Sequence, residues 1–205
     1  MAGKSSARWL REHFSDPYVK KAKLAGYRSR AVYKLLEIDE KDHLFHPGLV
    51  VVDLGAAPGG WSQVAKERVG QSGKVVALDL LPIEPIPHVQ ILQGDFTTDE
   101  TINALLALLP GPIDVILSDM APNMSGHDSV DVPRSIYLAE LVLDFALLHL
   151  RTEGALLMKV FEGAGFQTLY ANIKQHFSTT TIKKPKASRG RSREVYVLAK
   201  GFKGA

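Results

Sequence analysis

From residue 49 onward the chain alternates short apolar runs with longer amphipathic stretches, and few folds are compatible with that alternation. The runs are "LVVVDLG" (49–55), "KVVALDL" (74–80), "VQILQGD" (89–95), "IDVILSDM" (113–120) and "GALLMKVF" (154–161). They are apolar at successive positions, as strands buried on both faces are. Helical periodicity fills residues 60–69, 98–109, 133–150 and 165–177. Strand followed by helix, repeated, predicts an α/β fold with a parallel sheet and helices on both faces. "TTTIKKP" (179–185) and "REVYVLAK" (193–200) predict a closing strand pair. Residues 28–46 predict a helix ahead of the sheet, with Ala31, Val32, Leu35 and Leu36 on its inner face. Residues 1–25 are weakly patterned. A chain of 205 residues suffices for one domain with a sizeable core. That domain is taken as residues 28–205, preceded by a basic extension at 1–27.

Composition removes several chemistries. The chain has no cysteine, which excludes disulfides, thiolate metal sites and a cysteine nucleophile. No run approaches the ~18 apolar residues of a membrane span, so no membrane association is expected. The N-terminus lacks the apolar centre of a signal peptide, and Glu12 and Asp16 argue against a transit peptide; the expected location is the cytoplasm. The net charge of +3 conceals a segregation. Residues 1–30 carry +6 and residues 182–205 carry +7, which leaves the body near −10. Two basic ends with interleaved aromatic residues suggest a nucleic-acid partner held by both. The candidate phosphate ligands are Arg8, Arg11, Lys20, Lys21, Arg28 and Arg30 at one end, and Arg189, Arg191 and Arg193 at the other. Trp9 and Tyr27 could stack on a base, although packing is the more ordinary role for both.

In a doubly wound sheet, ligands bind beyond the C-terminal ends of the strands. Asp53, Asp79, Asp95 and Asp119 recur at those ends. A single acid after a strand is commonplace as a turn or cap residue; four in register point to a site. Between the first two lies "VVDLGAAPGGWSQ" (51–63), where Gly55, Gly59 and Gly60 would let a ligand approach the backbone and Trp61 opens the next helix. No Gly-Lys-Ser/Thr follows, so this is not a nucleotide triphosphate loop, and the glycine spacing fits a dinucleotide poorly. Pro58 removes an amide that a pyrophosphate could use, and Asp53 would repel phosphate while accepting a cation. A cationic nucleoside fits these features: S-adenosylmethionine, with its amino-acid end near Asp53 and the glycine loop, its ribose at Asp79 and its adenine near Asp95. The competing reading is a nicotinamide cofactor.

Two lysines stand within apolar surroundings. Lys159 interrupts "LLMKVF" and Lys34 lies in "AVYKLLE". Such lysines usually extend to the surface, but Lys159 ends the strand after the one carrying Asp119, in the neighbourhood of the cofactor. Glu194, in "SREVY", starts the last strand and could balance two ammonium groups.

The set "RSRAVYKLLEI", "VVDLGAAPGGWSQ", "LDLLP", "GDF", "LSDMAPNMSG", "MKVFEG" and "RGRSREVYVLA" resembles the FtsJ/RrmJ family over nearly the whole chain. That resemblance implies a Rossmann-like, seven-stranded S-adenosylmethionine-dependent methyltransferase fold whose last strand is antiparallel. It implies a catalytic tetrad of Lys34, Asp119, Lys159 and Glu194, with no departure at any of the four. It implies 2'-O-methylation of a uridine ribose in large-subunit ribosomal RNA, in the A loop of the peptidyl-transferase centre and on the assembled large subunit. Lys159 would then take the hydroxyl proton, with Asp119 orienting it, Lys34 positioning the hydroxyl and Glu194 holding Lys34 or the ribose. No metal is called for, because the leaving group is already cationic, and a monomer is expected. The rivals are an oxidoreductase and a non-catalytic RNA-binding assembly factor; a scaffold would have no need of Lys159.

Overall fold

A computed structural model of the chain describes residues 16–123, 125–188 and 192–204. Arg8, Trp9, Arg11, Arg189 and Arg191 lie outside the described residues. The strands are β1 (Val50–Leu54), β2 (Lys74–Asp79), β3 (Gln90–Gln93), β4 (Ile113–Ser118), β5 (Leu150–Phe161), β6 (Phe177–Lys183) and β7 (Glu194–Phe202). The helices are α1 (Pro17–Leu24), α2 (Val32–Asp42), α3 (Gly60–Val69), α4 (Asp99–Ala107), α5 (Asp128–His149) and α6 (Phe166–His176). One seven-stranded sheet has the order β3-β2-β1-β4-β5-β7-β6. β7 alone runs antiparallel, paired with β5 on one side and β6 on the other. The mostly parallel α/β sheet, its antiparallel last strand and the closing β6–β7 pair are all as the sequence predicts.

Helices cover both faces. Val32, Leu35 and Ile38 of α2 and Trp61, Val64 and Ala65 of α3 pack on Val51, Val75, Val115, Leu157, Tyr196 and Leu198. On the other face Leu105 of α4, Val142 and Leu143 of α5, and Leu169 and Ile173 of α6 pack on Val52, Val76, Ile116, Leu156, Met158 and Val197. Adjacent residues of one strand thus serve opposite cores, which is why the runs are apolar without alternation.

Three elements depart from the sequence reading for a local reason, and one helix is additional to it. α2 is shorter than 28–46, because residues 28–31 form turns and His43 closes the helix at φ 49°. Its buried residues are Val32, Leu35, Ile38 and Asp39, while Ala31 and Leu36 are half-buried. α5 starts at Asp128 and passes through Pro133, which the pattern had suggested as its start. Asp131 secures the entry by accepting from Ser125 N–H and Oγ–H (both 2.8 Å) and Gly126 N–H (2.9 Å). β5 begins at Leu150, directly after α5, with a register break against β4 between Ile113 and Val115. α1, eight residues, is an unpredicted helix capped by the Asp16 side chain. It belongs to the proposed basic extension, yet Ala22 is buried and Tyr18 lies 5.5 Å from Tyr33 between ring centroids. Among the described residues no helix is long and apolar enough to cross a membrane.

Candidate active site

The C-terminal edge of the sheet gathers the four residues of the expected tetrad. Asp119 directly follows β4, where Ser118 is paired with Met158 of β5, so Asp119 comes level with Lys159. Lys159 is paired in turn with Tyr196 of β7, and Phe161 with Glu194. Glu194 and Tyr196 are two residues apart and therefore share a face. Lys34 reaches them from the first turn of α2.

Their hydrogen bonds form a continuous chain. Lys159 Nζ donates to Asp119 Oδ1 at 3.0 Å and also to the Asp119 backbone carbonyl. Tyr196 Oη donates to Asp119 Oδ1 at 2.8 Å. Lys34 Nζ donates to Tyr196 Oη at 3.1 Å and to Glu194 Oε1 at 2.6 Å. Ser188 Oγ donates to Glu194 Oε1 as well, at 3.0 Å. Only 9% of the Lys159 side chain is exposed, against 23% of Asp119. Tyr196 is fully buried, with its ring 5.6 Å from that of Trp61. Burial, then the charges of Asp119 and Glu194, hold its phenol well above the ordinary value, so it stays protonated and donates to Asp119. Sequence reading missed Tyr196: an aromatic within "EVYVLA" reads as core, and only its register opposite Lys159 gives it away.

The residues expected to hold the cofactor lie around the glycine loop at the same edge. Asp53 is fully buried; its Oδ2 accepts from Ser62 Oγ at 2.6 Å, while Oδ1 has no partner. Burial pushes its carboxyl up to about 7, with the Ser62 hydrogen bond opposing and Asp119 and Asp79 adding to the rise. A Cβ on Gly55 (φ +73°) would lie 2.5 Å from Met120 Cγ and 2.9 Å from Met120 N, so the loop lies against the start of the segment after Asp119. Gly59 (φ +105°) precedes α3, and a Cβ on Gly60 would meet Ser29 Oγ at 2.6 Å. Asp79 accepts from the N–H groups of Ala57 and Leu81, both at 2.8 Å. Asp95 accepts from Thr97 N–H and Oγ1–H, and the backbone bond foremost keeps its carboxyl below the usual range. Trp61 is buried, with its indole N–H donated to the Ala31 carbonyl at 2.9 Å. A buried carboxyl with one unpartnered oxygen, beside a loop in which Gly55, Gly59 and Gly60 carry no side chain, fits a ligand with a cation on a compact polar end, as the amino-acid portion of S-adenosylmethionine has.

The basic residues divide. Lys20 and Lys21 are exposed on α1, with Lys21 Nζ 4.7 Å from the centroid of the Tyr33 ring. Arg193 forms an exposed ion pair with Asp128 at 3.1 Å. Arg28 donates to the carbonyls of Pro58, Glu84 and Pro85, and Arg30 to Asp16 and the Ala187 carbonyl. Both guanidinium groups are therefore engaged within the protein. Tyr27 is packed as well: its hydroxyl donates to Glu67 at 2.8 Å, and burial pushes it up to about 12.

A Rossmann-like sheet with a glycine loop after β1, and a Lys-Asp-Lys-Glu group at the same edge, defines a methyltransferase-type architecture. The comparisons carry this to the family. The profile of FtsJ-like methyltransferases matches residues 27–202, and the chain belongs to that family. It is 54% identical over 200 residues to ribosomal RNA large subunit methyltransferase E of Legionella pneumophila (strain Corby), covering 97% of each chain. It is 55% identical over 202 residues to the protein of that name from Hahella chejuensis, covering 98% of each. A crystal structure described as that of a ribosomal RNA methyltransferase from Plasmodium falciparum superposes with a TM-score of 0.78 at 30% identity. That match covers 87% of this chain and all of the other.

Proposed function

We propose that the protein transfers a methyl group from S-adenosylmethionine to the ribose 2'-hydroxyl of a uridine in large-subunit (23S) ribosomal RNA. It acts on the assembled large subunit in the cytoplasm, as a monomer, and Lys159 is the general base. The observation that carries this reading is the pairing of Lys159 with Asp119. A neutral lysine amine has two hydrogens and one lone pair. Both hydrogens can be donated to Asp119, to its carboxylate and to its carbonyl, which leaves the lone pair for the substrate hydroxyl. The ammonium formed when Lys159 Nζ accepts the proton is then held by the same two acceptors.

The other residues have distinct tasks. Lys34, fixed between Glu194 and Tyr196, orients the ribose hydroxyl and stabilises negative charge growing on its oxygen. Asp53, Gly55, Gly59, Gly60, Asp79, Asp95 and Asp119 hold the cofactor, with Trp61 supporting the loop from behind. When bound, S-adenosylmethionine supplies a methyl group on a cationic sulfur. Lys20, Lys21 and Arg193, with Arg8, Arg11, Arg189 and Arg191, hold the RNA; Arg28 and Arg30 have internal partners and contribute less.

The names of the close relatives support the RNA class. The test is mass mapping of ribose methylation in large-subunit RNA from cells with and without the protein, alongside calorimetry with S-adenosylhomocysteine. One uridine 2'-O-methyl group that depends on the protein is expected. Unchanged methylation, or binding of NAD in place of S-adenosylhomocysteine, contradicts the reading.

A further inference from the structure

Arg28 lies in the basic run that suggested phosphate binding, but its guanidinium spans the glycine loop after β1 and the segment after β2. Nη1 donates to the Pro58 carbonyl at 3.2 Å and to the Glu84 carbonyl at 2.6 Å, and Nη2 donates to the Pro85 carbonyl at 2.8 Å. Pro58 belongs to the loop after β1; Glu84 and Pro85 belong to the segment after β2. Residues 82–86 form neither helix nor strand, so their carbonyls need donors from elsewhere. The backbone of Arg28 is fastened too. Its N–H donates to Gln63 Oε1 at 3.0 Å, and Gln63 Nε2 donates to the Gly26 carbonyl at 3.1 Å. Residues 26–28 are thereby stitched to the first turn of α3.

The loop and the segment meet at the point Arg28 spans. A Cβ on Gly59 would lie 2.6 Å from Ile86 Cδ1 and 3.3 Å from Arg28 Nη1. Ala56, Ala77, Ile83 and Ile86 form a small buried cluster joining loop, strand and segment. Asp79 braces the same two stretches by accepting from Ala57 on one and Leu81 on the other. The loop after β1 and the segment after β2 thus have two braces, an anion that collects amides and a cation that collects carbonyls.

We propose that Arg28 is a positioning residue for cofactor binding: its guanidinium fixes the separation of the loop after β1 and the segment after β2, between which the nucleoside part of the cofactor is held. The proposal rests on the reading that this edge takes S-adenosylmethionine. Three carbonyls on two segments match the planar five-donor fork of arginine, and the single ammonium of lysine does not reproduce it.

The test uses the full chain as wild type, Arg28→Lys and Arg28→Ala. Affinity for S-adenosylhomocysteine is measured by calorimetry, and ribosomal RNA binding is measured across a salt series. Circular dichroism checks folding, and Arg28→Lys, which keeps the charge and most of the stem, remains informative should Arg28→Ala unfold. Both variants are expected to lose about tenfold or more in S-adenosylhomocysteine affinity, the scale of one hydrogen bond to a charged group. The KM for S-adenosylmethionine rises by more than kcat falls, and the salt slope of RNA binding stays at the wild-type value. Affinity for S-adenosylhomocysteine within about twofold of wild type in Arg28→Lys, well below the cost of one such bond, overturns the proposal. So does a lowered salt slope in Arg28→Ala with the cofactor affinity intact. Wild-type protein that binds no S-adenosylhomocysteine overturns the functional reading itself.

Discussion

Asp53→Asn isolates the cost of a buried carboxylate. The Asp53 side chain is fully buried, with Oδ2 on Ser62 and Oδ1 free, and its carboxyl is raised from 3.8 to about 7. At about 1.4 kcal/mol per pH unit, that gap amounts to roughly 4 kcal/mol when the group is ionised. The folded protein keeps this proton at pH values where the unfolded chain has lost it. Stability is therefore greatest below the unfolded value, falls as pH rises toward 7, and levels off above it. Of the total, about 2–3 kcal/mol falls between about pH 5 and pH 8. Asparagine cannot titrate and keeps an oxygen for Ser62, while its amide has no acceptor in place of Oδ1, a cost of about 1–3 kcal/mol that does not vary with pH. The stability of Asp53→Asn relative to wild type should accordingly improve by about 2–3 kcal/mol from the acid to the alkaline end. Urea unfolding of both proteins across that range measures it, and titrations common to the two cancel. Under the proposed function, in which the cofactor's ammonium pairs with Oδ1, saturating S-adenosylhomocysteine should flatten the wild-type profile by holding the carboxylate ionised. A difference that stays flat with pH would refute the reasoning, since the buried carboxyl would then not titrate in this window.

Other substitutions probe neighbouring parts of the site. Tyr196→Phe keeps the ring against Trp61 and leaves Asp119 with Lys159 and Lys34 with Glu194; it should cost about 1–2 kcal/mol in thermal unfolding and slow methyl transfer less than loss of Lys159 does. Gly55→Ala forces a left-handed backbone at about 1–2 kcal/mol and drives a methyl group into Met120, so melting temperature and S-adenosylhomocysteine affinity should both drop; wild-type values for both would contradict the close approach. Replacing Lys20 and Lys21 together by alanine should lower the salt slope of RNA binding by about two, and an unchanged slope would remove α1 from the RNA interface.

β1, β2, β4 and β5 were legible because burial on both faces writes an apolar run, as in "VVVDL" and "VILS", whereas "VQILQGD", expected to be buried on both faces, forms the edge strand β3 with both glutamines exposed. The acids at their ends could be placed at one edge from topology alone. α1 was not legible: "PYVKKAKL" is short and basic, and its packing depends on Ala22 and on Tyr18 meeting Tyr33. Pro133 suggested a helix start, but the true entry is set by Asp131 accepting from Ser125 and Gly126, a contact that spacing does not reveal. Lys34, Asp119, Lys159 and Glu194 could be named from the family motifs, and the structure brings them together. Tyr196, which links them, could not be distinguished from a core aromatic without the β5–β7 register. The internal partners of Arg28 and Arg30 were hidden for a related reason: a run of basic residues records charge, and only the fold shows whether carbonyls or a carboxylate already engage it.

The most direct test of the account is single-turnover methyl transfer by Lys159→Arg. Arginine keeps the positive charge and can still donate to Asp119, but guanidinium does not release its proton in the working pH range. If Lys159 Nζ takes the hydroxyl proton, Lys159→Arg and Lys159→Ala both lose at least about 100-fold in rate while keeping their affinity for S-adenosylhomocysteine. A Lys159→Arg protein with a near wild-type rate would contradict the account, because Lys159 would then only position the substrate.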